Sequence, residues 1–459
     1  MVTLVKKTLI KTYPLSKVQS VFYQHYALLP DSYGNNEKIL YRIHSKINID
    51  VMKEAFLQVI KRHEMYRTNF LMEDEPVHKV YEEAILDFEV VDASDWSQEL
   101  VTQFVSEETY RPFQLEENPP FRIRLFRFSE DDFILLLVWH HVAVDGWSAS
   151  LTIDDFGLLY KSLLEGKECE LTPIRKQFSD FVVAQNEMLE SPEGERQRLF
   201  WKEKLSGELP VLKLPADRDF PQVRTYKGGT VSFRLEKTVS DQVFAYCQQK
   251  ETTLDRVLLS LYFTFLHGYS QQEEIVIGTP RYGRASTSYY NTCGVFVNLI
   301  PLRLKMPKNA TYAELVHFVD EQIKQCLDYQ DFPMTLMMEE QDIKTGLTPL
   351  FQTCFSIQKW PRQNTTFHFG DSTHEINLHG LQMSHYYTEK KISKFDLALY
   401  VEEDRKKGIL PIFEYNADIF DKKTIEKLSR IFITFITSVM EDDQVKISTL
   451  CSYLQAVEK

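Results

Sequence analysis

The sequence predicts a mixed α/β protein built from two lobes, and three observations lead there. Strand-type and helix-type apolar patterns alternate along all 459 residues, the arrangement of α/β chains rather than of bundles or sandwiches. The stretch Gly207–Gly229 holds Pro210, Pro215, Pro221 and the pair Gly228-Gly229, and few long elements cross such a segment. Beyond it, the residues repeat the element grammar of those before it. The expected division is a first lobe over 1–180, a connecting segment over 181–229 and a second lobe over 230–459. At about 150 residues per domain, this length fits two large lobes.

The elements follow from local patterns. Ser16 is placed to cap a helix through Val18, Val21, Phe22 and Tyr26. Over Asp50–His63, the residues Val51, Ala55, Phe56, Val59 and Ile60 make one apolar helical face. Phe133–Trp139 is a continuous apolar run, as expected of a strand buried on both faces. A helix with Leu151, Phe156, Leu159 and Leu163 inside follows a short polar turn and stops at Gly166. In the second half, a helix over Leu254–His267 leads to a strand at Ile275–Gly278. Strands at Phe395–Glu402 and Ile409–Tyr415 precede a helix capped near Asp421. Its stripe is Ile425, Leu428, Phe432, Phe435, Ile436 and Val439.

Composition removes several function classes. With 31 Phe and 23 Tyr the chain has ample material for a core, so disorder is excluded. Asp plus Glu outnumber Lys plus Arg by 66 to 53, a net charge of −13. Such a chain is a poor general binder of nucleic acid or anionic membrane, which need a basic surface. The longest apolar runs, Phe133–Trp139 and Val257–Leu266, fall well short of the ~20 residues that span a bilayer. The N-terminus has two Lys but no apolar segment of the signal-peptide kind. The six Cys are scattered with no C-x-x-C pair, the usage of reduced thiols in a cytoplasmic protein. The sequons at Asn309 and Asn364 read as chance occurrences.

The densest chemical signal is Trp139-His140-His141-Val142-Ala143-Val144-Asp145-Gly146-Trp147-Ser148, directly after the buried strand. Functional loops occupy such positions in α/β proteins. Neighbouring side chains of an extended segment point opposite ways. One of His140 and His141 therefore faces a cavity and the other the interior. An imidazole titrating near neutrality suits proton transfer from an amine or hydroxyl nucleophile. Asp145 suits pairing with a cation that holds the loop, and Gly146 permits a tight turn. Two structural histidines are the plain alternative. A metal site through His141 and Asp145 needs a third ligand, and no cluster supplies one. Phosphate-binding Gly-rich loops and the G-x-S-x-G elbow are absent from the sequence.

His140-His141-x-x-x-Asp145-Gly146-Trp147-Ser148 resembles the HHxxxDG signature of nonribosomal peptide synthetase condensation domains. Further stretches carry the resemblance from about Tyr13 to Leu450. They are Tyr13-Pro14-Leu15-Ser16-x-x-Gln19, Arg62-His63-Glu64-x-x-Arg67-Thr68-x-Phe70, Phe178-x-Asp180-Phe181, Ile277-Gly278-Thr279-Pro280-x-x-Gly283-Arg284 with Gly294-x-Phe296-Val297-Asn298, Gln330-Asp331-x-Pro333, and Phe395-Asp396-Leu397. Two departures stand out. Val18 and Val21 occupy positions where the opening motif usually has Ala and Arg. Gly346-Leu347-Thr348-Pro349-Leu350-Phe351 keeps only Pro-Leu-Phe of the seventh motif. Trp147 before Ser148 resembles condensation rather than epimerisation, and the intact histidines differ from heterocyclising and inactive recruitment relatives. Arg62-His63-Glu64 leans towards the type that accepts L-configured donors.

The resemblance implies two chloramphenicol-acetyltransferase-like lobes in a V-shaped, monomeric pseudo-dimer with the site in a tunnel between them. It implies amide formation between a carrier-bound acyl or peptidyl thioester and an amine. The phosphopantetheine arm is then delivered by partner carrier proteins, with no cofactor or metal of the chain's own. His141 is the implied catalytic residue, as general base or as a positioning and stabilising group, with the Gly146 backbone polarising the carbonyl. Asp145 is expected to pair with Arg67 as a structural ion pair. His140 and His63 are expected to be packing residues, and Trp147, Ser148 and Asn298 candidates for the substrate channel. Lys390-Lys391, Lys394 and Arg405-Lys406-Lys407 are either solvated surface or docking patches for acidic carriers. With no carrier serine or adenylation motif in the chain, a free-standing enzyme and one domain of a larger synthetase both fit. Ester formation, chain release onto a free amine or hydroxyl, a non-catalytic docking module and a CoA-dependent acetyltransferase are the alternatives.

Overall fold

The computed structural model describes residues 7–221, 225–341, 350–358 and 375–457. They form two compact units that interleave along the chain. The first takes residues 7–195, 282–297 and 375–388, and the second takes the rest. Of the departing seventh motif, Gly346–Pro349 lie outside the described residues, as does Asn364. Leu350 and Phe351 are buried.

A six-stranded mixed sheet organises the first unit. Its order is Glu375–Leu378, Leu381–His385, Asn36–Ile43, Phe133–His140, Phe121–Arg127 and Phe88–Asp92. Strand Phe133–His140 has an antiparallel neighbour on each side, with Asn36 opposite His140 and Phe121 opposite Trp139. All eight of its residues are buried, which is why its sequence is a continuous apolar run without alternation. A smaller antiparallel sheet joins Leu9–Pro14, Pro76–Tyr81 and Thr68–Met72.

Helices cover this sheet where their patterns require. Helix Lys17–Leu28 starts from a capping box, in which Ser16 Oγ accepts from the Gln19 backbone and Gln19 Oε1 accepts from the Ser16 backbone. Helix Ile49–Arg62 is capped by Asn48 and buries Met52, Ala55, Phe56, Val59 and Ile60. Its Phe56 ring stacks at 4.0 Å on Phe156 of helix Gly146–Leu164. Beyond the latter helix, Gly166 adopts φ +63°, as a glycine stop requires.

The second unit repeats the theme. Its sheet runs Asn298–Lys305, Glu274–Arg281, Thr353–Gln358, Leu397–Asp404, Gly408–Asn416 and Gly228–Ser232. Phe265 of helix Leu254–Ser270 meets Phe413 and Phe432 at 5.6 Å each, the latter on helix Lys422–Glu441. All six residues of that helix's expected stripe are buried. Residues 207–221 form neither helix nor strand. Arg218 ties them to this unit, donating to the Ala417, Asp418 and Phe420 carbonyls and pairing with Asp421 at 2.6 Å. The Asp421 carboxylate thus serves Arg218 and makes no side-chain cap bond to the helix it precedes. Among the described residues no helix is long and apolar enough to cross a membrane.

One buried junction in the first unit titrates within reach of experiment. Asp155 Oδ2 lies 2.9 Å from Arg62 Nε and 3.1 Å from His63 Nε2, joining the two helices that meet at Phe56 and Phe156. Burial opposes a charged imidazole, yet Cys293 and Asp155 beside it raise the His63 pKa to about 9. Burial likewise opposes the Asp155 carboxylate, but His63 and Arg62 hold it below its usual range. The stability from charged His63 is therefore complete below its unfolded pKa of about 6.5 and is lost as pH rises through about 9. We expect the thermal midpoint to fall across that window in the wild type and to fall less in Asp155→Asn. Parallel pH profiles for the two proteins would rule the junction out.

Candidate functional site

Strand Phe133–His140 delivers the two histidines to a tight turn. The His140 backbone N–H donates to Pro120 O at 3.0 Å, that of His141 to Asn35 O at 2.8 Å, and that of Ala143 to His140 O at 3.1 Å. The turn separates the imidazoles. His140 is buried, edge-on to the rings of Tyr26 and Phe113 at 6.1 Å each, and its Nδ1 accepts from the Val142 N–H at 3.2 Å. An accepting Nδ1 carries no proton, so that contact occupies it with backbone. His141 is only partly buried, and its ring stacks on Phe22 with centroids 4.8 Å apart and planes 16° apart. Gln19 reaches the same turn from below, donating from Nε2 to Val142 O at 3.1 Å.

Asp145 closes the loop. It is the N-cap of helix Gly146–Leu164, accepting from the Ser148 N–H at 2.8 Å. Arg284 grips both its oxygens, with Nη1 2.9 Å from Oδ2 and Nη2 3.2 Å from Oδ1. The Phe296 N–H donates to Oδ2 at 3.0 Å. Ser148 Oγ lies 2.7 Å from both Asp145 Oδ1 and Gly294 O, and its single proton serves one of them at a time. The Ser148 hydroxyl in turn accepts from Gly294 N–H and from Arg284 Nη2. Burial alone would raise the Asp145 pKa. The Arg284 charge and the hydrogen bonds from Arg284 and Ser148 outweigh it and hold the carboxyl below its ordinary value. The guanidinium lies over the Phe296 ring at 4.1 Å and the Trp147 ring at 5.3 Å.

Backbone proximity makes this clamp possible. Gly283 has φ +65°, and a Cβ there would sit 1.8 Å from Phe296 O. A Cβ at Gly294 would sit 2.0 Å from the Phe178 ring. Segment 282–297 therefore folds tightly on itself and against Phe178 only with glycine at those two places.

The remaining expected residues distribute as follows. Gly146 is exposed and is the first residue of its helix. The N–H groups of a first turn have no intrahelical acceptor and lie at the positive end of the helix dipole. Trp147 donates from Nε1 to Tyr290 O at 3.0 Å and lies between the rings of Tyr282 and Tyr290. In the second unit, Asn298 donates to Gln330 O and Phe332 O and accepts from Met334 N–H, bracing the Gln330–Pro333 turn. Lys390 pairs at 2.8 Å with buried Glu414, and Arg405 lies 4.2 Å over Phe244. Lys391 and Lys406 are exposed. Among the described residues no group of three or more His, Cys, Asp or Glu side chains is placed to hold a metal ion.

The expected Arg67–Asp145 pair does not form. Arg67 ends the short turn Glu64–Arg67 and donates to the carbonyls of Tyr81 and Glu82 at the margin of the small sheet. Both oxygens of Asp145 are filled from Arg284, Ser148 and Phe296. The stretch Arg62–Phe70 is thus architecture around helix Gly146–Leu164, with Tyr66 hydroxyl bonded to Thr152 as well as the Asp155 junction. Arg284, Gln19 and Phe22 are the residues whose contacts the sequence did not assign. Gly283 and Gly294 are the one local sign that a segment packs closely here.

The condensation-domain family model matches residues 10–459. The chain belongs to that family. The condensation domain is 29% identical over 443 residues to surfactin synthase subunit 1 of Bacillus subtilis (strain 168), covering 96% of this chain and 12% of that protein. It is 31% identical over 442 residues to bacitracin synthase 3 of Bacillus licheniformis, covering 95% of this chain and 7% of that one. It therefore spans a small fraction of these relatives. Among solved structures, a holo four-domain nonribosomal peptide synthetase, AB3403, bound to AMP and glycine superposes with a TM-score of 0.88 at 20% identity, covering 97% of this chain and 34% of that one. The X-domain from teicoplanin biosynthesis superposes at 0.83 and 22% identity, covering 98% of both chains. These likenesses establish the fold, two six-stranded sheets and a smaller one with their helices.

The Arg284–Asp145 pair makes a quantitative prediction for the condensation domain. Both side chains are almost fully buried, so removing one partner strands the other charge at a cost of roughly 3–5 kcal/mol. Arg284→Met and Asp145→Asn should each destabilise the fold strongly, and the double variant by less than their sum. Strict additivity in denaturant unfolding would refute the coupling. Arg67→Ala should be additive with Asp145→Asn.

Proposed function

We propose that this condensation domain forms an amide bond between a carrier-bound acyl or peptidyl thioester and an amine. One observation carries the reading: His141 sits partly exposed on a turn whose other imidazole is buried and bonded, five residues before the start of a 19-residue helix. A thioester is already activated, so the protein chiefly aligns nucleophile and carbonyl. The amine nitrogen attacks the thioester carbon, and His141 accepts the proton that the nitrogen loses. The Gly146 N–H, at the positive helix end, stabilises the developing oxyanion. As the tetrahedral intermediate collapses, the carbon–sulfur bond breaks, the proton passes to the leaving thiolate, and amide and thiol are the products. His140 is assigned no proton transfer because it is buried among Tyr26 and Phe113 with its Nδ1 on backbone, and Asp145 none because protein groups occupy both its oxygens.

The thioester arrives on the phosphopantetheine arm of a partner carrier protein, and the amine acceptor on a second carrier. The domain acts as a single chain, with the His loop and its Arg284 clamp both in the first unit. The exposed Lys391 and Lys406 are the candidate contacts to an acidic carrier.

His141→Ala should retain the fold and lose about 10²–10⁴-fold in condensation rate with saturating loaded carriers. Near-wild-type turnover would remove His141 from the chemistry. Replacing the donor carrier by a small thioester should raise KM strongly, because the tethered arm's effective concentration is lost. Lys391→Glu with Lys406→Glu should weaken carrier capture, and added salt should weaken the wild-type complex in the same direction. Equal rates from carrier-bound and small thioesters, insensitive to salt, would favour a CoA-type acyltransferase.

A further inference from the structure

We propose that Phe22 is a positioning residue for His141, its ring face setting the plane in which the imidazole meets its substrate. The inference rests on the reading of His141 given above. Helix Lys17–Leu28 presents residues 19, 22 and 26 on one side, spaced by three and four positions as neighbours on a helix face are. Each meets one residue of the histidine turn. Gln19 holds the carbonyl of Val142 at 3.1 Å, Phe22 stacks on His141 at 4.8 Å and 16°, and Tyr26 stands edge-on to His140 at 6.1 Å and 78°. The helix works as a splint laid along the turn.

That splint is itself pinned at both ends. The Ser16–Gln19 capping box fixes its first turn, and the Lys17 N–H donates to Gln185 Oε1 at 3.1 Å. At the other end the Tyr26 hydroxyl bonds Glu116 and accepts from the Leu115 N–H at 3.3 Å. Phe22 is therefore a planar surface on a helix with little freedom to shift. Its partner's backbone is held as firmly, by the His141 N–H to Asn35 O bond. The last torsion of an imidazole is broad, as for other such rings. An offset-stacked aromatic face narrows that torsion. The stack also covers one face of the imidazole. An aliphatic side chain of the same bulk would fill the volume without selecting a plane.

The test separates orientation from volume and from the enzyme's chemistry. The full chain is labelled at histidine, and the His141 ring-proton resonances are identified by their loss in His141→Ala. In the wild type these resonances should carry the upfield ring-current shift of a proton over an aromatic face. Phe22→Leu should remove it and Phe22→Tyr should keep it, whether or not the substrates have been identified correctly. With carrier-bound substrates, Phe22→Leu should lower kcat by roughly 10–100-fold with KM changed less than about threefold, because misorientation is felt in the transition state. Phe22→Tyr should recover most of the rate. If Phe22→Leu unfolds, Phe22→Met supplies the aliphatic comparison. Wild-type turnover in a folded aliphatic variant, or His141 resonances unchanged in it, overturns the proposal. An intact ring-current pattern in a wild-type protein that condenses nothing would instead overturn the functional reading and leave the positioning standing.

Discussion

The first unit depends on a buried ion pair. Taking a carboxylate and a guanidinium out of water costs several kcal/mol per ion, and attraction alone offsets this only with near-complete hydrogen bonding. Asp145 meets that condition. Its two oxygens receive Arg284 twice, the Ser148 N–H and the Phe296 N–H, with the Ser148 hydroxyl alongside. Because two of these donors are backbone N–H groups, of Ser148 and Phe296, the pair acts as a gauge. The loop after Phe133–His140 can take one shape, and segment 282–297 has one seat against it. Much about the histidine turn follows, including which imidazole goes inward and where the next helix begins.

Around that gauge the division of labour is physical rather than sequential. His140, the first of two adjacent and identical side chains, lands among Tyr26 and Phe113 with a backbone N–H on its ring. His141 lands on the turn with an aromatic face beside it. The same side chain thus meets two settings, one buried with a backbone N–H on its ring and one partly exposed beside an aromatic face. Asp145 and Asp155 are likewise both buried and both held ionised, one by Arg284 at the loop and the other by Arg62 and His63 between helices.

Much of this was readable in advance, for reasons that differ by element. Phe133–His140 was legible because a strand buried on both faces must be apolar throughout, and helix Lys422–Glu441 because one buried stripe imposes a period. The loop was legible from residue type, since two histidines after such a strand have few purposes. Asp145 was legible as an anion needing a cation, but its partner was not. Arg67 and Arg284 lie in equally promising stretches, and the choice is made by a contact across 139 residues that no local pattern records. Phe22 was legible only as one more apolar position on an amphipathic helix. Its ring meets an imidazole because the helix and the turn are brought together by tertiary packing, which has no signature in either segment.

The interleaving of the units has a consequence for how the protein is made. The clamp on Asp145 comes from residues 284–296, and the outer hairpin of the first sheet, Glu375–His385, comes later still. A ribosome that has finished residue 195 has made most of the first unit but neither of these parts. Strand Asn36–Ile43 then presents an unpaired edge, of the kind that recruits foreign strands. Nearly two hundred further residues must be added before Leu381–His385 pairs with its Tyr41–Ile43 end. At about 5–20 residues per second this is roughly 10–40 s of waiting. The nascent first unit thus carries that edge open while the rest is made, and expression of the domain should respond more to translation speed and temperature than its finished core would suggest.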